Sequence, residues 1–280
     1  MYMSTKEAAK KWGISERRVR LLCAQGRVDG AIQSSWAYLI PSRAPKPGDG
    51  RQLRHQRQEY LRLGTSGFDG LEQFKEMDGD ALLARCVSHV DAFIVASFAV
   101  EGIGLTQEDL HQLTSFESVP SLSLADQLLA LHLRSMILSM ARSSSLGRTA
   151  VRLSEQYLGQ LYTSLCLGLE NLELTRRLDL GDELEVFIMQ DEREFSAAHP
   201  LVRALFCYGE VMRIAPCTRY NALLASLVYC RLMVEAGWAP VLVDLERIDE
   251  LKAALVMTKR RGNYLALTDL VSEAYREQMR

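Results

Sequence analysis

The chain has 280 residues, 48% hydrophobic and 24% charged. These values exclude disordered and fibrous classes and leave room for about two domains of ~100–200 residues each. The net charge of −2 is unevenly spread, with twelve Lys/Arg against five Asp/Glu in residues 1–60 and 21 against 30 in the remainder. A basic head on an acidic body suggests that the head alone meets a polyanion.

Ser4, Thr5, Lys6 and Glu7 form a capping box, which predicts a helix to about Trp12 with Ala8, Ala9 and Trp12 on one apolar face. Gly13 closes it. Ser15 caps a second helix with an apolar stripe of Val19, Leu22 and Cys23, ended by Gly26. Two short helices around a Gly-containing turn are a helix-turn-helix pattern, and Arg17, Arg18 and Arg20 fall early in the second helix, where such a helix meets a major groove. Strands are expected over Val28–Ile32 and Trp36–Ile40, joined by Gln33, Ser34 and Ser35 and stopped by Pro41. Residues 43–60, rich in Pro, Gly and charge, read as a linker, with His55 as a solvated residue.

From residue 61 onward the pattern is helix after helix. Apolar positions at helical spacing mark 79–101, 122–142, 150–169, 198–213 and 262–277, and Ala222–Val234 is apolar almost all round, as a central buried helix is. Residues 178–194 read either as an alternating strand (Leu184, Val186, Ile188) or as a helix capped by Asp182. His89, His111 and His132 stand singly, without a second ligand one turn away. Ser143–Gly147 ends a helix and lacks the spacing and lysine of a phosphate loop. Asp244–Glu250 reads as a solvated helix start. The six cysteines contain no CxxC pair and fall on apolar stretches, which suits buried thiols in a reducing compartment. No apolar stretch reads as a membrane span or signal peptide, so a cytoplasmic location and no membrane partner are expected.

Two resemblances sharpen this reading. The run from Thr5 to Pro41 resembles the winged helix-turn-helix of excisionases and the MerR-type DNA-binding module. That implies double-stranded DNA as partner, with Lys6, Arg17, Arg18, Arg20 and the wing Trp36 as contacts. The group often carries Gly-Arg before the wing Trp, where this chain has Ser34 and Ser35. Further on, Ser97-Phe-Ala-Val-Glu101-Gly102, His199-Pro200, the loop Ile214-Ala-Pro216-Cys-Thr-Arg-Tyr-Asn221 and Gly237-Trp-Ala-Pro240 follow in an order that resembles the Fic (Fic/Doc) family, over about residues 80–280. The implied fold is mainly α: a winged helix-turn-helix over 1–42, the linker 43–60 and an all-α Fic-like bundle over 61–280.

Fic enzymes move AMP from ATP to a protein hydroxyl through His-Pro-Phe-x-Asp/Glu-Gly-Asn-Gly-Arg-x-x-Arg. The His is the general base, the carboxylate holds Mg²⁺, the glycine turn cradles phosphate and the arginines neutralise it. By this resemblance Ala215 stands at the base, Pro216 is kept, Cys217 replaces Phe and Arg219 stands at the acidic position. Tyr220 stands at the first Gly, Asn221 is kept, Ala222 replaces the next Gly, and Leu223 and Ser226 replace the arginines. The expectation is therefore a DNA-binding regulator with no catalytic residue, no metal and no cofactor. Its body would serve dimerisation, partner binding or sensing. The alternatives are an adenylyltransferase with a diverged site, using ATP and Mg²⁺, and an antitoxin-like partner of an active Fic protein. Ser97, Glu101 and Gly102 fit the family's inhibitory motif, whose Glu pairs with the second motif arginine. Here that position is Ser226, leaving Arg219 or Arg231 as substitutes, and bulk at Tyr220 and Leu223 is expected to fill the anion cleft around a turn shaped by Pro216 and Asn221 alone.

Overall fold

The computed structural model describes residues 2–24, 28, 31–34, 37–47, 70–144, 152–169, 183–195 and 198–279. Trp36, His55, Asp182 and the glycine of Ser143–Gly147 lie outside the described residues. Contacts divide the chain into two compact units, residues 1–55 and 56–280.

In the first unit, α1 (Thr5–Trp12) and α2 (Glu16–Ala24) pack beside a small antiparallel sheet. Ser4 caps α1 reciprocally with Glu7, and Gly13 leaves the helix in the left-handed region at φ 64°. Ser15 accepts the Arg18 amide at 3.2 Å and caps α2. The sheet has order β1 (Tyr2–Met3), β3 (Ala37–Pro41), β2 (Ile32–Ser34). It corrects the sequence reading in three ways. Gln33 and Ser34 are strand residues, paired with Tyr38 and Ala37. Pro41 is the last residue of β3, opposite Tyr2 of β1. And β1, too short for any alternation to show, exists through its pairing with β3. Met3, Ala8, Trp12, Val19, Leu22, Cys23, Val28, Ile40 and Ala44 form the core, so the first residues of the expected 43–60 connection belong to the head.

The second unit is helical throughout its described residues. Its helices are α3 (Gly79–Glu101), α4 (Gln107–Thr114), α5 (Leu124–Ser143), α6 (Glu155–Leu165), α7 (Glu183–Gln190), α8 (Pro200–Ile214), α9 (Asn221–Glu235), α10 (Ile248–Arg261) and α11 (Leu265–Gln278). Helix α9 is the hub. Its residues 222–230 are all buried, and it packs on α8, α3, α5 and α6. Helix α3 is long and apolar enough, by length and composition only, to cross a membrane. Its Leu82, Cys86, Val90, Phe93, Ile94 and Phe98 are instead packed in the bundle core. Residues 183–190 resolve the ambiguity as helix, followed by a π-turn over Asp191–Phe195. That turn buries Asp191 against Arg203 of α8 in a two-pronged ion pair at 2.8 and 2.7 Å.

Among the described residues all six cysteines are free and buried, and no three His, Cys, Asp or Glu side chains are grouped to hold a metal. His199 caps α8: its Nδ1 accepts the Leu201 amide at 3.2 Å, so Nε2 carries the proton and donates to Glu72 at 3.0 Å. His132 Nδ1 donates to the Leu165 carbonyl at 2.9 Å. Asp244 precedes a 3₁₀ turn (Leu245–Arg247) that leads into α10.

Candidate functional sites

The head presents its charge on α2. The apolar stripe Val19–Leu22–Cys23 must face the core, which turns Arg17, Arg18 and Arg20 outward, and all three are exposed. Together with Ser15, Leu21 and Tyr38 they line an open recess of about 550 Å³. Lys6 is exposed on α1. Arg20 is the oriented one: its Nη2 donates to Glu16 Oε1 at 2.7 Å, and Thr5 Oγ1 donates to the same oxygen at 2.9 Å. These donors hold the Glu16 carboxyl below its usual range, Thr5 contributing most.

The second site lies where α8 meets α9. Ala215 ends α8 in the left-handed region at φ 48°, and Tyr220 starts α9 at φ 60°. Neither is glycine, so each carries strain of order 1–2 kcal/mol that the surrounding structure must hold. Pro216 is buried. Asn221 pins the loop, its Oδ1 accepting the Cys217 amide at 3.0 Å and its Nδ2 donating to the Cys217 carbonyl at 2.8 Å. Tyr162 donates to the Arg219 carbonyl at 3.2 Å. The Arg219 side chain is exposed and lies 5.1 Å over the Tyr220 ring.

Helix α9 begins without a side-chain cap of its own. The missing acceptor is Glu101, the last residue of α3. One carboxylate oxygen accepts the Tyr220 amide at 2.9 Å and the other the Ala222 amide at 2.8 Å. Glu101 is placed by the end of its own helix: Gly102 turns left-handed at φ 90° and Ile103 N–H bonds back to the Phe98 carbonyl at 2.9 Å. Ser97 is buried one turn earlier and donates to the Phe93 carbonyl at 2.8 Å. Burial pushes the Glu101 carboxyl above its usual range, outweighing the amides and Arg219, which favour the charge.

Two expectations are corrected here. Glu101 makes its hydrogen bonds to backbone rather than to an arginine: Arg231 pairs with Glu235 on its own helix, and Arg219 acts on Glu101 only as a nearby positive charge. The Glu101 carboxylate holds the amides at the start of α9, so Pro216 and Asn221 do not shape the turn alone. Leu223 is buried in the core. Ser226 is fully buried, its hydroxyl close to that of Tyr208. Sequence reasoning sought a side-chain partner for Glu101; the available signal was that α9 opens with Tyr-Asn-Ala, lacking a Ser, Thr or Asp at the cap position.

This arrangement of helices around a buried α9, with a loop at its N-terminus, is a Fic-like fold. Two solved structures of Fic-1 from C. elegans, one with a glutamate-to-glycine substitution, superpose with TM-scores of 0.62 and 0.60 at 16% identity, covering 82% of this chain and 72% of theirs. No family model matches the chain, and no curated protein does.

From Ala215 to Leu224 the ionisable side chains are Cys217, Arg219 and Tyr220, none of them a carboxylate or imidazole, and the Tyr220 and Ala222 amides hold the Glu101 carboxylate.

Proposed function

We propose that the protein is a DNA-binding transcriptional regulator, its head a winged helix-turn-helix and its Fic-like body a non-catalytic module for dimerisation, partner binding or sensing. The observation that carries this is the α2 face, where three exposed arginines line one recess with a side chain from the sheet. Arginines in the first turns of such a helix reach both base edges and phosphates. The body supports the non-enzymatic half. Ala215 has no proton to exchange, and Glu101 satisfies the helix N-terminus that an incoming phosphate needs. A positioned general base is worth ~10²–10⁴ in rate before any metal is counted. By this reading Ser97, Glu101 and Gly102 are what remains of an inhibitory helix end. The head works as one of a pair, because a single small module touches few base pairs and two copies read two half-sites.

The test is fluorescence anisotropy of the full chain on DNA from its own promoter region at two salt concentrations. Arg17→Ala with Arg20→Ala is expected to abolish the sequence preference and to flatten the salt dependence by about one unit of slope for each phosphate the variant no longer neutralises. Unchanged binding refutes the reading. In parallel, labelled ATP with Mg²⁺ or Mn²⁺ is expected to leave no label on protein. Time-dependent labelling that Asn221→Ala abolishes would restore the adenylyltransferase alternative.

A further inference from the structure

We infer that the α2 recess reads a thymine next to a guanine, Leu21 packing on the thymine methyl while Arg20, aligned by Glu16, takes the guanine. The inference rests on the DNA-binding reading and deepens it. Arg17, Arg20 and Leu21, spaced by three and four residues, all line the recess. Arg18, stepped about 100° around the helix from Arg17, lines it as well. Leu21 is 44% exposed, an apolar side chain set among arginines, and Tyr38 of β3 borders the same recess. Among the described residues Leu21 is not part of the head's apolar core. In a major groove the thymine 5-methyl is the apolar projection, and guanine offers paired acceptors at O6 and N7. Side chains at successive positions 20 and 21 suit neighbouring bases.

The Arg20 geometry favours a base over a phosphate. Thr5 of α1 donates to Glu16 Oε1 at 2.9 Å, and Arg20 Nη2 donates to the same oxygen at 2.7 Å. The guanidinium is thus fixed by a carboxylate tied to the neighbouring helix, and its remaining N–H groups stay available. A flexible arginine is enough for phosphate. A buttressed one loses less side-chain entropy when it must meet two acceptors in one plane. Glu16 also brings negative charge beside the duplex, which disfavours a bare phosphate contact at this position.

Selection of a randomised duplex library by the full chain, followed by anisotropy on the enriched duplex, tests this. The enriched half-site is expected to hold a thymine–guanine step. Deoxyuridine in place of that thymine removes only the methyl and is expected to weaken binding about fourfold. 7-Deazaguanine, lacking N7, is expected to weaken it by roughly 5- to 150-fold. Leu21→Ala should bind the thymine and uracil duplexes equally while still discriminating against 7-deazaguanine. Glu16→Gln should lose guanine discrimination with little change in salt slope. If a site is enriched but no thymine-to-uracil change matters, or if Leu21→Ala retains the methyl preference, this inference fails and the regulator reading stands. If nothing is enriched and the arginine variants bind as the parent does, both fail.

Discussion

Replacing Glu101 by Gln tests whether the end of α3 holds the start of α9. Glutamine is nearly isosteric, so it isolates the charge and one acceptor. Its single oxygen can take either the Tyr220 or the Ala222 amide, now 2.9 and 2.8 Å from the two carboxylate oxygens, while its NH₂ opposes the other. A hydrogen bond to a charged group contributes ~1.5–3 kcal/mol and an N-cap ~0.5–2 kcal/mol. Part of this is offset, because Gln does not bury a charge. The net loss is expected to be about 2 kcal/mol, a Tm decrease of roughly 4–8 °C for a domain of this size. The loss has a pH signature. The folded Glu101 carboxyl titrates above the ordinary value of 4.5, so between that value and its raised one the folded state binds more protons than the unfolded state. The stability it contributes is therefore full at low pH and falls as pH rises through the folded pKa. The glutamine side chain has no such titration, so the deficit of Glu101→Gln should be larger near pH 4.5 than at pH 7.5. Paired melting curves at the two pH values read the deficit, and hydrogen exchange of residues 217–224 reads its location. An unchanged Tm with unchanged exchange refutes the capping role. A deficit that widens with pH shows instead that the amides outweigh burial.

Three further outcomes are expected. A Cβ on Gly209 falls 2.6 Å from Tyr264 Cε1, and Tyr264 is pinned by a 2.6 Å hydrogen bond from its hydroxyl to Glu210; Gly209→Ala should lower stability by ~1–3 kcal/mol in urea denaturation. Asp191→Asn leaves the Arg203 guanidinium without its buried carboxylate and should cost ~3–5 kcal/mol, with much of it recovered when Arg203→Met is added. All six thiols are buried, with Cys86 pushed up to about 12 and Cys166 to about 11; a thiol reagent at pH 8 should label the native chain slowly and all six sites rapidly in denaturant.

What the sequence revealed follows the range of the forces involved. The Ser4–Glu7 cap acts within four residues, and it forms as a reciprocal box. The wholly apolar run from Ala222 to Val234 permits little but a central helix. Strand β1 escaped because two residues show no period and only β3, more than thirty residues later, gives them partners. The π-turn at Asp191 was equally hidden, since its ion pair is with Arg203, twelve residues on. The resemblance sets Ala215, Arg219 and Ser226 where the Fic motif has a base, an acid and an arginine, an expectation that rests on residue types alone. That Glu101 caps α9 was not legible, because backbone amides carry no residue identity.

The same chemistry explains why Glu101 sits at the start of α9. A helix N-terminus exposes N–H groups that need acceptors, together with the positive end of the helix dipole. In a phosphate-binding relative the ligand supplies both the acceptors and the charge. In this chain Tyr220 leaves α9 without a cap, and its left-handed backbone at φ 60° keeps the amides aimed at one point. Acceptors are needed there, and α3 delivers a carboxyl group at a fixed position because Gly102 stops the helix immediately after Glu101. Truncating that carboxylate therefore exposes bare amides that a small anion can satisfy. Phosphate or sulfate should raise the Tm of Glu101→Ala more than that of the parent at equal ionic strength, with chloride as control. Equal shifts would mean that the cradle collapses once the carboxylate is removed, and that the geometry of the loop depends on Glu101 rather than on Asn221.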